Sequence, residues 1–278
     1  MSAIPMLSLR KDFALPAIGF GTYRVNGVDG VAEIKAAIDH GFRLIDSAFN
    51  YENEGTVGMA VRHASVIRDE LTVTSKLPGR HHHYNEALDT IAESVYRMGL
   101  DEIDVYLIHW PNPKQGLFVE AWQALIEAQK RGWVKHIGVS NFLPEHIDTL
   151  VAETGVWPVL NQIELHPYFQ QTKQLAYHQQ HHIITEAWSP LGRGAVLQEP
   201  MIQALAQKYS VSSGQIILRW CVQRGIIPIP KSTSAQRQQQ NLNLWGFSLS
   251  PDDMAKIATL DKPEGRINQQ DPAVYEEF

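Results

Sequence analysis

Leu44-Ile45-Asp46-Ser47-Ala48 decides how this 278-residue chain is read: an apolar run ends in a carboxylate, and six later runs repeat the form. Residues 72–76 (TVTSK) end at Lys76, 105–110 (VYLIHW) carry His109, and 137–141 (IGVSN) end at Asn141. Residues 159–162 (VLNQ) end at Gln162, 184–188 (ITEAW) at Trp188 and 227–231 (IPIPK) at Lys231. Parallel strands that aim their C-terminal ends into one shared site produce this pattern, and a (β/α)8 barrel of the TIM type gathers its working groups there.

Working outward, short β-type runs alternate with longer stretches of helical period. Residues 6–15 (MLSLRKDFAL) alternate around Arg10-Lys11-Asp12 and predict a hairpin ahead of the barrel. Residues 17–23 (AIGFGTY) predict the first strand, and VDGVAEIKAAIDH a helix that stops at Gly41. Leu and Ala recur every three or four residues in EALDTIAESVYRMGL and VEAWQALIEAQKRGW, as helices lying on a core require. Strand and helix in alternation imply a parallel sheet with right-handed crossovers. An open, doubly wound sheet is the rival, but Gly19-Phe20-Gly21 runs into Thr22-Tyr23-Arg24 where a dinucleotide fingerprint needs a third glycine.

The length fits one such barrel, which needs about 250 residues, so residues 1–278 are expected to form a single domain. With 44% hydrophobic and 19% charged residues the chain can bury a sizeable core. A net charge of −6, with the basic residues dispersed, gives no footprint for nucleic acid. The sole cysteine, Cys221, excludes an intrachain disulfide and reads as a small buried apolar residue. No stretch is apolar for long enough to span a bilayer, and charge follows the first residues too soon for a signal segment. A soluble cytoplasmic monomer is the expectation.

The densest segment is Asp46-Ser47-Ala48-Phe49-Asn50-Tyr51-Glu52-Asn53-Glu54. A strand ending in Asp46 and a short loop carrying Tyr51 put a carboxylate and a phenol near one rim, with Asn53 or Glu52 available to cap the following helix. A lysine closing an apolar strand needs a counter-charge, and Asp46 on the preceding strand is the nearest candidate for Lys76.

With these residues in view, the chain resembles the aldo-keto reductases over essentially its full length. The matching blocks are GFGTY, LIDSAFNYENE with GTVG, Lys76, IHWP at 108–111, IGVSNF at 137–142, NQIELHP at 161–167, WSPLGRG at 188–194 and IPKSTSAQR at 229–237. Within the family the short loops and WSPLG are most similar to bacterial 2,5-diketo-gluconate reductases. The resemblance implies that Asp46, Tyr51, Lys76 and His109 form a catalytic tetrad for reducing carbonyls. A free tyrosine, with a pKa of about 10, is a reluctant acid near neutrality. Lys76, held charged by Asp46, is expected to lower that value at Tyr51, and His109 to hydrogen-bond the carbonyl oxygen.

The resemblance also implies NADPH. Ser140, Asn141 and Gln162 would hold the nicotinamide carboxamide and Trp188 would stack on its ring. Ser189, Leu191 and Gly192 would drape over the pyrophosphate, and Lys231, Ser232, Thr233 and Arg237 would receive a monophosphate. Asn241 would contact adenine, although Gln240 precedes it where the family often has Glu. Tyr23, Phe49, Asn50, Trp110 and the stretch from Gly265 to Phe278 are expected at the substrate mouth, with Asn50 as a polar handle for hydroxylated keto-acids. Small α-dicarbonyls and keto-sugar acids are the expected substrates; a catalytically quiet NADPH-binding regulatory barrel is the alternative. His81-His82-His83 reads as a surface loop, because three adjacent histidines cannot converge on one metal and no carboxylate or cysteine accompanies them at ligand spacing.

Overall fold

The computed structural model describes residues 4–278. An antiparallel hairpin comes first, β1 (Met6–Arg10) paired with β2 (Phe13–Pro16), as the alternation around Lys11 and Asp12 predicts. The parallel strands follow: β3 (Phe20–Gly21), β4 (Leu44–Asp46), β5 (Thr72–Leu77), β6 (Ile103–Ile108), β7 (Val134–Ser140), β8 (Leu160–Glu164), β9 (Ile184–Trp188) and β10 (Ile226–Pro228). They pair in sequence order from β3 to β10, each with the next. Helices α1 (Gly27–His40), α2 (Glu54–Arg62), α3 (Tyr84–Met98), α4 (Phe118–Lys130), α5 (Pro144–Thr154) and α6 (Thr172–Gln180) fill the successive crossovers. Two helices, α7 (Pro200–Tyr209) and α8 (Ser213–Gln223), share the crossover into β10; α9 (Ala235–Leu242) and α10 (Pro251–Ala258) come last.

The ring closes through the Gly19 and Gly21 N–H groups, which donate to the carbonyls of Pro228 and Pro230 at 3.0 and 3.1 Å. A residue in a strand turns its N–H and C=O to the same side, so both prolines face β3 with a carbonyl and no donor. Half of the ladder at this seam is therefore missing. That is why the first strand contracts to Phe20–Gly21 from the longer run expected over residues 17–23.

Side chains alternate between the two faces of each strand. Leu44, Val105, Leu107, Leu160, Ile184, Ile227 and Ile229 form the apolar cluster inside the barrel, and Phe13 and Leu15 of β2 join it as a floor. Ile45, Val73, Leu77, Tyr106, Ile108 and Val139 face outward into the layer under the helices. The helices meet them with one face each: α3 buries Ala87, Leu88, Ile91 and Met98, and each such Leu, Ile or Met side chain stabilises by roughly 1.5–3 kcal/mol. α1 ends as expected, Gly41 taking φ 121° while its N–H bonds back to Ile38. Helix α2 lies so close to the end of α3 that a Cβ on Gly58 would sit 1.9 Å from the Met98 carbonyl oxygen.

Two local expectations change. Asn53 holds the capping position of α2, but its side chain does not cap. It donates to the carbonyls of Thr22 and Val25 and accepts from Ser47, tying the loop after β3 to the loop after β4. His82 is buried rather than on the surface, while His81 bonds Thr90 at 2.8 Å and exposed His83 faces Glu120 at 3.6 Å. Their three side chains thus enter different surroundings.

Residues 265–278 cross the C-terminal ends of the strands. Gly265 packs where a side chain cannot, a Cβ there falling 1.8 Å from the Tyr168 carbonyl oxygen. The Ile267 N–H donates to Glu164 at 2.6 Å, Tyr275 packs on Trp110 with ring centres 4.5 Å apart, and the Asn112 amide donates to the Glu277 carbonyl at 2.8 Å.

Candidate active site

Parity along the strands builds the site. Asp46 lies two residues beyond Leu44, His109 two beyond Leu107, Gln162 two beyond Leu160 and Glu186 two beyond Ile184, so each points inward one layer above the apolar cluster. Lys76 enters the same layer from β5 and is fully buried. Its ammonium donates to both Asp46 oxygens at 2.7 and 2.9 Å and to the Ser47 carbonyl at 2.7 Å. Burial would strip the charge from Lys76, but Asp46, Tyr51 and Glu186 outweigh it and leave its pKa above the ordinary value. Removing one partner of such a pair strands the other charge, at a cost of about 3–5 kcal/mol.

Tyr51 lies in the short helical turn Phe49–Tyr51, with the Lys76 ammonium 5.2 Å from its ring centre and the His109 ring 5.9 Å away. Burial is the larger effect on its pKa and pushes the phenol up to about 12, while Lys76 pulls it down as expected without cancelling that rise. Tyr51 is therefore a proton carrier throughout the neutral range, which suits an acid.

Gln162 connects this layer to a group that the sequence reading passed over. Its amide nitrogen donates to Asp46 at 2.7 Å and to Glu186 at 2.9 Å. Glu186 is completely buried with one oxygen unpartnered, and burial together with the charge of Asp46 raises its pKa to about 7. Parity carries the signal that could have found it, since Glu186 stands two residues before Trp188 and pairs in register with Gln162.

The neighbouring amides and hydroxyl form a chain. The Ser140 hydroxyl donates to the Gln162 carbonyl at 2.8 Å, the Asn141 amide to the His109 carbonyl at 3.0 Å, and the Trp188 indole N–H to Asn141 at 2.8 Å. Asn141 holds φ 63°, a left-handed backbone that asparagine tolerates better than most residues. Half-buried Trp188 is thereby fixed beside Trp110, ring centres 6.5 Å apart. Beyond β9 the backbone is left-handed at Ser189, Gly192, Arg193 and Gly194, and Leu191 accepts from the Gly194 N–H at 2.9 Å.

Ser232, Thr233 and Ser234 lead into α9, where the Ser234 hydroxyl accepts from the Arg237 N–H. The side chains of Lys231 and Arg237 are exposed and neither makes an ion pair among the described residues. Two free cations beside a helix start suit a phosphate. Asn241 is buried on the same helix, with Gln240 half-buried before it.

The expected mouth residues divide. Tyr23 packs edge-on against Tyr51 at 5.1 Å, and Trp110 is buried under Tyr275. Phe49 turns its ring to Arg97, Arg80 and His81. Asn50 is not a free handle: its amide donates to Glu277 at 2.8 Å and its oxygen accepts from Arg80. Glu277, which the sequence gave no reason to single out, also accepts from the Gly79 N–H at 2.9 Å and lies 2.8 Å from His109 Nδ1, off the direction of a ring N–H. Burial would raise the Glu277 carboxyl, but His109, the Gly79 N–H and Asn50 outweigh it and hold it below the ordinary carboxylate value.

Comparison with known proteins agrees with this geometry. Residues 17–262 match the model of the aldo/keto reductase family. The chain is 50% identical to 2,5-diketo-D-gluconic acid reductase B of Corynebacterium sp. (strain SHS752001), covering 100% of both chains. It is 40% identical to methylglyoxal reductase DkgA of Escherichia coli (strain K12), over 92% of this chain and 94% of the relative. Among solved structures, a Gox0644 mutant in complex with NADPH superposes with a TM-score of 0.94 at 39% identity, covering 99% of this chain and 100% of that one. The barrel, the buried lysine-carboxylate pair and these likenesses lead to one statement: the chain belongs to the aldo/keto reductase family.

Proposed function

We propose that this protein is an NADPH-dependent reductase of aldehyde and ketone carbonyls, acting on small α-dicarbonyls and on keto-sugar acids such as 2,5-diketo-gluconate. The observation that carries the reading is the buried Asp46–Lys76 pair set against Tyr51. A barrel kept only to bind a nucleotide has no use for a charged lysine beneath a phenol.

NADPH, when bound, supplies the hydride that goes to the carbonyl carbon. The residues that would hold it are Ser140, Asn141, Gln162 and Trp188 at the nicotinamide, Ser189, Leu191 and Gly192 at the pyrophosphate, and Lys231, Ser232, Thr233, Arg237 and Asn241 at the adenosine phosphate. The free cations at Lys231 and Arg237 fit a 2′-phosphate, which favours NADPH over NADH. Tyr51 gives its phenolic proton to the carbonyl oxygen, and Lys76, kept charged by Asp46, stabilises the phenolate left behind. His109 orients the carbonyl. The enzyme would work as a single-domain monomer in the cytoplasm; no helix among the described residues is long and apolar enough to cross a membrane.

Loss of NADPH absorbance with methylglyoxal, 2,5-diketo-gluconate and an aromatic aldehyde tests the reading. Tyr51→Phe is expected to lower turnover by several orders of magnitude with NADPH affinity nearly unchanged, and Lys76→Met to do likewise. More than a tenth of wild-type turnover in Tyr51→Phe sinks the assignment of the acid.

A further inference from the structure

Glu277 brings a carboxylate to the catalytic mouth from residues 265–278, which cross the C-terminal ends of the strands. Its oxygens are held by the Gly79 N–H at 2.9 Å and the Asn50 amide at 2.8 Å, and one of them lies 2.8 Å from His109 Nδ1. Its own backbone is pinned on both sides, the N–H donating to Asn112 at 3.0 Å and the carbonyl accepting from the same amide group at 2.8 Å. The side chain is buried, so its charge is little screened by solvent. Arg80 is the nearby cation, but it is exposed and spends its contact on the Asn50 oxygen. With His109, 2.8 Å away, in its neutral form, Glu277 therefore leaves a net negative charge on this side of the mouth.

We infer that Glu277 is a charge-selecting residue, which disfavours substrates carrying a carboxylate near the reacting carbonyl and so ranks neutral dicarbonyls ahead of keto-acids. This rests on the carbonyl-reductase reading and narrows its substrate class. Two like charges brought together in a poorly hydrated site repel strongly; an acidic substrate must meet that repulsion or displace residues 271–278. Tyr51 also feels Glu277, which helps to keep its phenol protonated. Asn50 acts through Glu277 and is a positioning residue for it, which replaces the earlier expectation of a direct contact with substrate hydroxyls.

The quantity to measure is the ratio of kcat/KM for 2,5-diketo-gluconate to that for methylglyoxal, with folding of each variant checked by its Tm. Glu277→Gln removes the charge and keeps the shape, and is expected to raise the ratio by roughly tenfold or more. Glu277→Asp keeps the charge and should leave the ratio low. Asn50→Ala should raise it too, and the double variant Asn50→Ala with Glu277→Gln should rise no further than Glu277→Gln alone, since the two residues form one unit. A ratio within twofold of wild type in Glu277→Gln overturns the inference while wild-type activity on methylglyoxal leaves the reductase reading intact. Absence of NADPH oxidation with every carbonyl removes the reading itself, and the inference with it.

Discussion

Glu186 is a carboxyl that the fold stabilises mainly in its protonated form. Burial and the neighbouring Asp46 lift it from 4.5 to about 7, and Gln162 and Lys76 only partly oppose them. The folded chain thus binds this proton more tightly than the unfolded one, so the stability it contributes is complete below pH 4.5 and is lost as the pH rises through 7. The displacement corresponds to about 3 kcal/mol. Glu186→Gln should accordingly melt with wild type near pH 4 and above it near pH 8, by roughly 1–3 kcal/mol; a Tm difference that ignores pH would mean that Glu186 does not titrate there. Arg237 offers a second test at this scale. An unpaired guanidinium reserved for phosphate loses roughly 1.5–3 kcal/mol of affinity when removed, so Arg237→Ala should weaken NADPH by tenfold to a hundredfold and NADH far less. Equal losses for both nucleotides would make Arg237 a structural residue.

Between elements, the contact of α2 with α3 sets two physical effects against each other. Alanine is the better helix former, by about 1 kcal/mol over glycine, yet a Cβ at Gly58 would stand 1.9 Å from the Met98 backbone oxygen, which cannot swing away as a side chain can. Overpacking of that kind costs about 1–3 kcal/mol or more. Gly58→Ala is therefore expected to lower Tm, while Gly55→Ala, whose nearest neighbour is 3.6 Å away, should leave it unchanged or raised. Denaturant melts of both variants decide the sign. The elements themselves were legible because period and punctuation survive in the sequence: the hairpin around Lys11, the stop at Gly41, the seven strand ends. The site was legible where it is local to those ends, as at Asp46, Lys76 and His109. Glu277 was not, because its bond to Asn50 spans 227 positions and nothing near either residue announces the other. Asn53 escaped for the same reason, its partners Thr22 and Val25 lying on the loop after β3.

For the whole molecule, the ring has one weak line. Strand β6 is paired with β5 over Val105–Ile108 and with β7 from Ile103 to Ile108, whereas the junction of β3 with β10 rests on two donors from glycines. Amide exchange followed by mass spectrometry should find Gly19 and Gly21 opening well before β5 and β6, at a free energy below that of global unfolding. Exchange of all three strands at one rate would show that the ring opens only by complete unfolding. The prolines that make the junction weak also govern what an opened molecule exposes. A parted strand normally presents alternating donors and acceptors, a template on which another chain can add. Pro228 and Pro230 present carbonyls alone, and β3 offers only two residues opposite them. A transiently opened barrel is thus a poor seed for strand-to-strand assembly between molecules, and the place where the ring yields most easily is also the place least able to start an aggregate.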